Sequence, residues 1–202
     1  MNKSLAKDIL IAILVLGIIA LLAGGLLGLV NSFTKVTAEE EMKRLTDKIA
    51  KTGVYQGEEE LQLIKIEGFA QGYENGSIIN VFNAGDTYVI HCSGKGGYSS
   101  NSFELLVNIT NDKIIKIASY VNGETPGVGS RALKDDNLEQ FYTKDLSVIS
   151  KLTGVKSSTK KTDEDDPEIA MVTGASKSST ALINAVNVAI DWYLNNVKGG
   201  EQ

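Results

Sequence analysis

From Ile9 to Val30 the chain reads ILIAILVLGIIALLAGGLLGLV, and no charged residue falls between Asp8 and Lys35. Roughly 20 apolar residues at 1.5 Å each cross the hydrocarbon layer of a bilayer, so the run predicts one membrane-spanning helix. A cleaved signal peptide is the alternative reading, but its apolar region measures only about 7–15 residues. No Cys follows the run to take a lipoprotein-type anchor. Lys3 and Lys7 precede the run and Glu39-Glu40-Glu41 follow it. By the positive-inside rule the N-terminus stays in the cytoplasm and the main domain lies on the extracytoplasmic side. Gly24 and Gly28 share one helix face, a spacing that lets another transmembrane helix approach closely, although glycine is also simply frequent in such helices.

The rest of the 202 residues is enough for one further domain. The net charge is −5, with 25 acids to 20 bases, and the bases are dispersed, so nothing supports nucleic-acid binding. Cys92 and His91 are each the only residue of their type. A lone Cys excludes an intramolecular disulfide or an iron–sulfur cluster supplied by this chain, and a lone His leaves a zinc site short of ligands. Both sit in the strand-like TYVIHC, where packing is the simpler role, and no nucleophile constellation supports hydrolysis.

Thr37-Ala38-Glu39-Glu40 reads as a capping box that starts a helix running to about Lys51. Strands are expected around Leu61–Ile66, Ser77–Phe82 and Thr87–Cys92, punctuated by turns such as Glu74-Asn75-Gly76. Phe103–Ile109 and Lys113–Val121 read as a hairpin joined by Thr110-Asn111-Asp112. Leu105, Val107 and Ile109 alternate in one arm and Ile115 and Ile117 answer them in the other, which predicts a half-buried antiparallel pair. A short helix and a strand are expected between Lys134 and Ser150. The polar stretch Lys156–Glu168 lacks the spacing and glycine of a calcium loop and reads as solvated. A last helix runs from about Ser178 to Val197, with Ala181, Leu182, Ala185, Val186, Ala189, Trp192 and Tyr193 recurring at helical spacing.

That helix opens on Thr173-Gly174-Ala175-Ser176-Lys177-Ser178-Ser179, a turn with four hydroxyls in seven residues. Free amide N–H groups at a helix start, the positive end of the macrodipole and short hydroxyl side chains favour a bound phosphate. An ordinary Ser or Thr cap is the plainer alternative.

TGASKSS resembles the flavinylation motif S/T-G-A-S/T-x-x-S/T of the covalent FMN-binding domain. That domain occurs in the G subunit of the Rnf electron-transfer complex and in the C subunit of the sodium-pumping NADH:quinone oxidoreductase. Glu124-Thr125-Pro126-Gly127-Val128-Gly129 is similar to the ETPGLG block of the same family, and the membrane segment, the Gly-rich GKGGY and the closing helix extend the likeness over most of the chain. The chain departs from the pattern at Ala170, where the family carries Asp six residues before the flavinylated hydroxyl, and at Asn122 and Val128, which stand for His and Leu.

The resemblance implies an α+β fold, with a single N-terminal transmembrane helix followed by an antiparallel-sheet FMN-binding domain and a C-terminal helix. It divides the chain into an anchor at 1–34, a juxtamembrane helix and linker at 35–57, and the FMN-binding domain at 58–202. It implies FMN joined through its phosphate to Ser176 by a flavin transferase. Thr173, Gly174, Ala175, Ser178 and Ser179 would surround the phosphate, and Glu124, Thr125, Gly127 and Val128 would meet the ring. Trp192 and Tyr193 lie about four turns from Ser176, roughly 24 Å along the helix, and are assigned to the core.

The implied role is an electron relay in a membrane ferredoxin:NAD oxidoreductase of the Rnf type, coupled to ion movement. Its partners would be the other Rnf subunits, the transferase during maturation and membrane lipid, with no metal and no complete active site in this chain. A stand-alone flavinylated extracytoplasmic electron carrier and a non-flavinylated assembly scaffold are the alternatives.

Overall fold

The computed structural model describes residues 3–34, 38–64, 72–98, 103–142 and 144–199. The chain divides into two compact units, Met1–Lys43 and Arg44–Gln202. In the first, helix α1 runs from Lys3 to Thr34, and its Ile11–Val30 stretch is long and apolar enough to cross a membrane. None of that stretch is buried within the protein, so its apolar surface is available to lipid. Helix α2 spans Ala38–Thr52, close to the expected limits, while Thr37 of the capping box lies outside the described residues.

The second unit is built on an antiparallel sheet of strands β1 (Gln62–Ile64), β2 (Gly72–Tyr73), β3 (Gly76–Ala84), β4 (Thr87–Gly94), β5 (Phe103–Thr110) and β6 (Lys113–Asn122). The order is β1-β3-β4-β5-β6, with β2 pairing beside β1 on β3. After β6 come a 3₁₀ turn at Gly129–Leu133, helix α3 (Asp135–Leu138) and a second 3₁₀ turn at Glu139–Phe141. A short parallel pair follows, β7 (Thr153–Val155) with β8 (Glu168–Ala170), then helix α4 (Ser176–Tyr193), which ends in a π turn at Leu194–Lys198. This is an α+β fold. The strand expected between Lys134 and Ser150 lies instead at β7, because Asn187 of α4 clamps both backbone groups of Leu152 and sets the next residues alongside β8.

The β5–β6 hairpin turns on Asn111 and Asp112, both at positive φ (48° and 62°), the geometry that matches the twist of the flanking strands. Its second arm is not read by simple alternation. Asn108 pairs with Lys116 but Ile109 pairs with Ile114, so Ile115 is the extra residue of a β-bulge. The bulge shifts the phase of the strand: Ile114 and Ile117 are buried, and Ile115, expected inward, is 46% exposed.

Helix α4 lies on one face of the sheet against Ile90, Cys92, Leu105, Val107 and Ile109. It approaches closely because Gly94 ends β4, where a Cβ would strike the Ala181 carbonyl and the Ala185 amide. Trp192 and Tyr193 pack against Tyr88, with ring centroids 6.2 and 5.5 Å apart, so both belong to the core as expected. β5 is buried on its other face as well, not half-buried. Leu106 and Asn108 point there, and Asn108 donates to the carbonyl of Val54, just beyond α2.

His91, on that second face, is buried with its Nε2 3.1 Å from the Glu104 carboxylate and its ring 4.1 Å from that of Tyr120, over which the Lys48 ammonium sits. Cys92 is wholly buried, and burial pushes its thiol pKa up. The acidic loop after β7 is solvated, as its composition predicts, but it is anchored. The buried Lys144 ammonium lies 2.6 Å from the carbonyl oxygens of both Asp163 and Asp166, so a side-chain cation gathers the loop from within.

Candidate functional site

Two loops meet at one end of the sheet. β6 delivers the first, Glu124–Val128, and the turn between β8 and α4 delivers the second, Thr173–Ala175. Gly174 adopts φ 79°, which turns the chain sharply into α4, and the Ala175 amide donates to the Val172 carbonyl at 2.9 Å. Ser176 is the first residue of α4. The residue at the cap position is Ala175, which offers no side-chain hydrogen bond, so the opening amides of the helix have no side-chain acceptor among the described residues.

Three interactions join the loops. The buried Ser178 hydroxyl donates to the Glu124 carboxylate at 2.6 Å. Gly129 packs on the same pair, leaving no room for a Cβ between the Glu124 carboxylate and Ser178. From the other side Arg131 donates through Nη2 to the Thr173 carbonyl at 2.8 Å and through Nε to the Val128 carbonyl at 3.4 Å. The Glu124 amide in turn donates to the Asn122 side-chain oxygen at 3.0 Å.

The structure thus brings together the two segments singled out from sequence, 44 residues apart at their nearest named positions (Gly129 and Thr173). Within them the residues divide. Thr173, Gly174 and Ser176 are exposed, as are Thr125, Pro126, Gly127 and Val128. Ala175, Glu124, Ser178 and Ser179 are buried. The Ser179 hydroxyl donates to the Ala175 carbonyl and accepts from the Val172 amide, both at 3.0 Å, so it braces the turn. Gly127, at φ 76°, stands with open space where a Cβ would be, and its amide donates to the Ser130 hydroxyl. Ala170 is buried at the end of β8, its amide and carbonyl both bonded to the side chain of Gln140.

Residues 97–191 match the family model described as the FMN-binding domain. In this region the chain is similar to FMN-binding domains. Both loops lie within the matched region. Two relatives extend the likeness. Over 105 residues, 52% of this chain and 51% of the relative, it is 33% identical to the G subunit of the proton-translocating ferredoxin:NAD(+) oxidoreductase complex of Clostridium ljungdahlii. Over 125 residues, 61% of this chain and 54% of the relative, it is 31% identical to the G subunit of the Na(+)-translocating ferredoxin:NAD(+) oxidoreductase complex of Acetobacterium woodii. The chain spans about half the length of these curated relatives in the matches.

The geometry of the matched region suits a phosphate-bearing ligand. An exposed Ser176 hydroxyl stands at a helix start whose amides lack a side-chain acceptor among the described residues, and the cations of Lys177 and Arg131 lie just past the two loops in the chain. Glu124, the acid nearest the site in the first loop, has its carboxylate engaged by Ser178. Arg131 was not singled out from sequence. It is one of only two arginines in the chain and lies two residues past the Gly127-Val128-Gly129 run, which is the available signal. That it bridges the loops is a tertiary fact.

Proposed function

We propose that this FMN-binding domain holds its flavin covalently, through a phosphoester at Ser176, and serves as an electron-relay subunit of a membrane ferredoxin:NAD oxidoreductase complex of the Rnf type. The observation that carries the reading is the exposed Ser176 at the uncapped start of α4, locked by Glu124–Ser178 and Arg131–Thr173 against the loop proposed to meet the ring. When bound, FMN supplies one-electron and two-electron exchange; the polypeptide supplies position, hydrogen bonds and dielectric.

Ser176 is the attachment point. Its hydroxyl and those of Ser178 and Ser179 follow one another on α4, but the latter two are committed to Glu124 and Ala175. They therefore shape the phosphate site through the turn and leave direct contact to the opening amides, Thr173 and the nearby cations. Gly174 and Ala175 make the turn compact. Thr125 and the backbone at Gly127 and Val128 are open to the ring, and Gly127 lets it approach without a side chain in the way.

A covalent link suits a domain outside the cytoplasm, where a pool of free flavin cannot be relied on. In this reading α1 is a single membrane crossing with its N-terminus in the cytoplasm and the FMN-binding domain on the far side. Other Rnf subunits, a flavin transferase during maturation and membrane lipid are the partners, and electron flow is coupled to ion movement by the complex as a whole.

The test is denaturing electrophoresis with ultraviolet in-gel fluorescence, and peptide mass mapping, on wild type and Ser176→Ala coexpressed with the transferase. The expected result is a fluorescent wild-type band with one FMN on the Ser176 peptide and a dark variant. A dark wild type beside a fluorescent related protein would instead favour the assembly scaffold, with Ala170 as the departure that loses the transferase.

A further inference from the structure

A flat aromatic ligand tethered at Ser176 needs a flat partner, and neither loop described above offers one: Glu124–Gly129 presents backbone and the aliphatic Val128. Most of the described aromatic side chains of the second unit are engaged elsewhere: Phe82 is buried, Tyr73 and Tyr142 pack on the core, and the Tyr55 hydroxyl donates to the Glu59 carbonyl. Trp192 and Tyr193 are buried against Tyr88 at the far end of α4, Tyr120 lies between His91 and Lys48 on the opposite sheet face, and Phe141 is in the core. Tyr98 differs, being 78% exposed.

The residues leading to it are held in place. The Lys95 amide donates to the Asn75 carbonyl and the Lys95 carbonyl accepts from Asn184 of α4, each at 2.8 Å. Gly96, at φ 111°, fits against the Thr180 methyl, where a Cβ would lie 3.2 Å away. The strand end before it, Gly94, rests on the backbone of α4 at Ala181 and Ala185. So Gly94–Gly96, just before Tyr98, are pinned to the first turns of the helix that begins at Ser176. The Lys177 ammonium, on the residue next to Ser176, sits 4.8 Å from the Tyr98 ring centroid.

We propose that Tyr98 is the stacking platform for the isoalloxazine ring of the flavin attached at Ser176. A large exposed ring beside an anchored backbone segment gives contact area at little cost in side-chain entropy, and offset stacking adds attraction beyond area alone. Lys177 ties the platform to the attachment point. The proposal rests on the Ser176 reading and adds to it the residue that orients the ring.

Tyrosine in contact with an isoalloxazine quenches its emission by donating an electron to the excited ring, so fluorescence reports the contact directly. The full chain, coexpressed with the flavin transferase and purified in detergent, is compared as wild type, Tyr98→Leu and Tyr98→Trp. Covalent FMN per chain is counted by mass, and native emission and lifetime are normalised to the same sample after denaturation. The expected result is one FMN per chain in all three, strong quenching in wild type and Tyr98→Trp, and a several-fold rise in emission and lifetime in Tyr98→Leu. Equal emission and lifetime in wild type and Tyr98→Leu, each with one FMN, would overturn the platform and leave the Ser176 attachment standing. Wild type without an adduct, beside a flavinylated control protein, would overturn both. Because Tyr98 is exposed, the substitutions do not disturb the core.

Discussion

The Ser178 hydroxyl donates to the Glu124 carboxylate at 2.6 Å, both groups buried and 54 residues apart in the chain. Removing the hydroxyl leaves a buried carboxylate short of a donor, which costs about 1–3 kcal/mol. Ser178→Ala is therefore expected to lower stability by that amount in chemical denaturation of the detergent-solubilised protein. Ser176→Ala, two residues away and exposed, is expected to stay within about 0.5 kcal/mol of wild type. The reverse ranking would show that the Glu124–Ser178 bond does not hold the loops together.

Arg131 acts on the same loops from outside. Arg131→Met removes the donors to the Thr173 and Val128 carbonyls while keeping most of the side-chain bulk. Its hydrogen bonds are partly exposed, so the expected loss of stability is only about 1 kcal/mol. The larger effect is expected on flavin loading, measured as the rate at which the adduct appears with purified transferase. Gly174→Ala should slow loading too, because φ 79° disfavours any Cβ and the added methyl would stand 3.0 Å from Arg131 Nη2. Loading rates equal to wild type in both variants would remove Arg131 and Gly174 from the positioning of Ser176.

Gly94 is where strand and helix touch backbone to backbone. Gly94→Ala would drive a methyl into the Ala181 carbonyl and the Ala185 amide, atoms that cannot rotate away. A loss of about 3 kcal/mol or more is expected, at the upper end for overpacking. Hydrogen exchange should show the α4 amides losing protection first. An unchanged melting temperature would mean that α4 does not sit on β4 as described.

His91 makes stability depend on pH in the acid direction. Burial lowers its pKa, the Lys48 ammonium pushes the same way, and the nearby Glu104 carboxylate opposes them without prevailing. The folded protein therefore binds fewer protons here than the unfolded chain. The contribution is complete above the ordinary histidine pKa of about 6.5 and is lost as pH falls through the folded value. The melting temperature should fall between about pH 6.5 and 5 more steeply in wild type than in His91→Gln. Parallel profiles would assign the acid sensitivity elsewhere.

Much of this fold shows in the order of residues. The apolar run at Ile9–Val30 forms helix, the alternation in Leu105, Val107 and Ile109 forms one buried face, and the helical spacing from Ala181 to Tyr193 forms the packed side of α4. Local patterns suffice there because burial on one face imposes the period of the element. They fail where a neighbour alters the period or covers a second face. The bulge at Ile115 reverses the phase of β6, and Val54 beyond α2 covers the face of β5 that carries Asn108. The acidic loop is exposed as composition predicts, but its anchor, Lys144, lies 19 to 22 residues away from the carbonyls it binds and has no local signal.

The sequence alone determined that a hydroxyl-rich turn opens the last helix and that a Glu-Thr-Pro-Gly segment lies upstream of it. It could not say which hydroxyl is free, since Ser176, Ser178 and Ser179 are chemically alike. The tertiary structure decides it. Successive helical residues turn by about 100°, so Ser178 points nearly opposite to Ser176, toward the protein interior where Glu124 accepts its hydrogen bond. Ser179 is buried too and braces the turn, while Ser176 is exposed, next in the chain to Lys177, whose ammonium meets the Tyr98 ring.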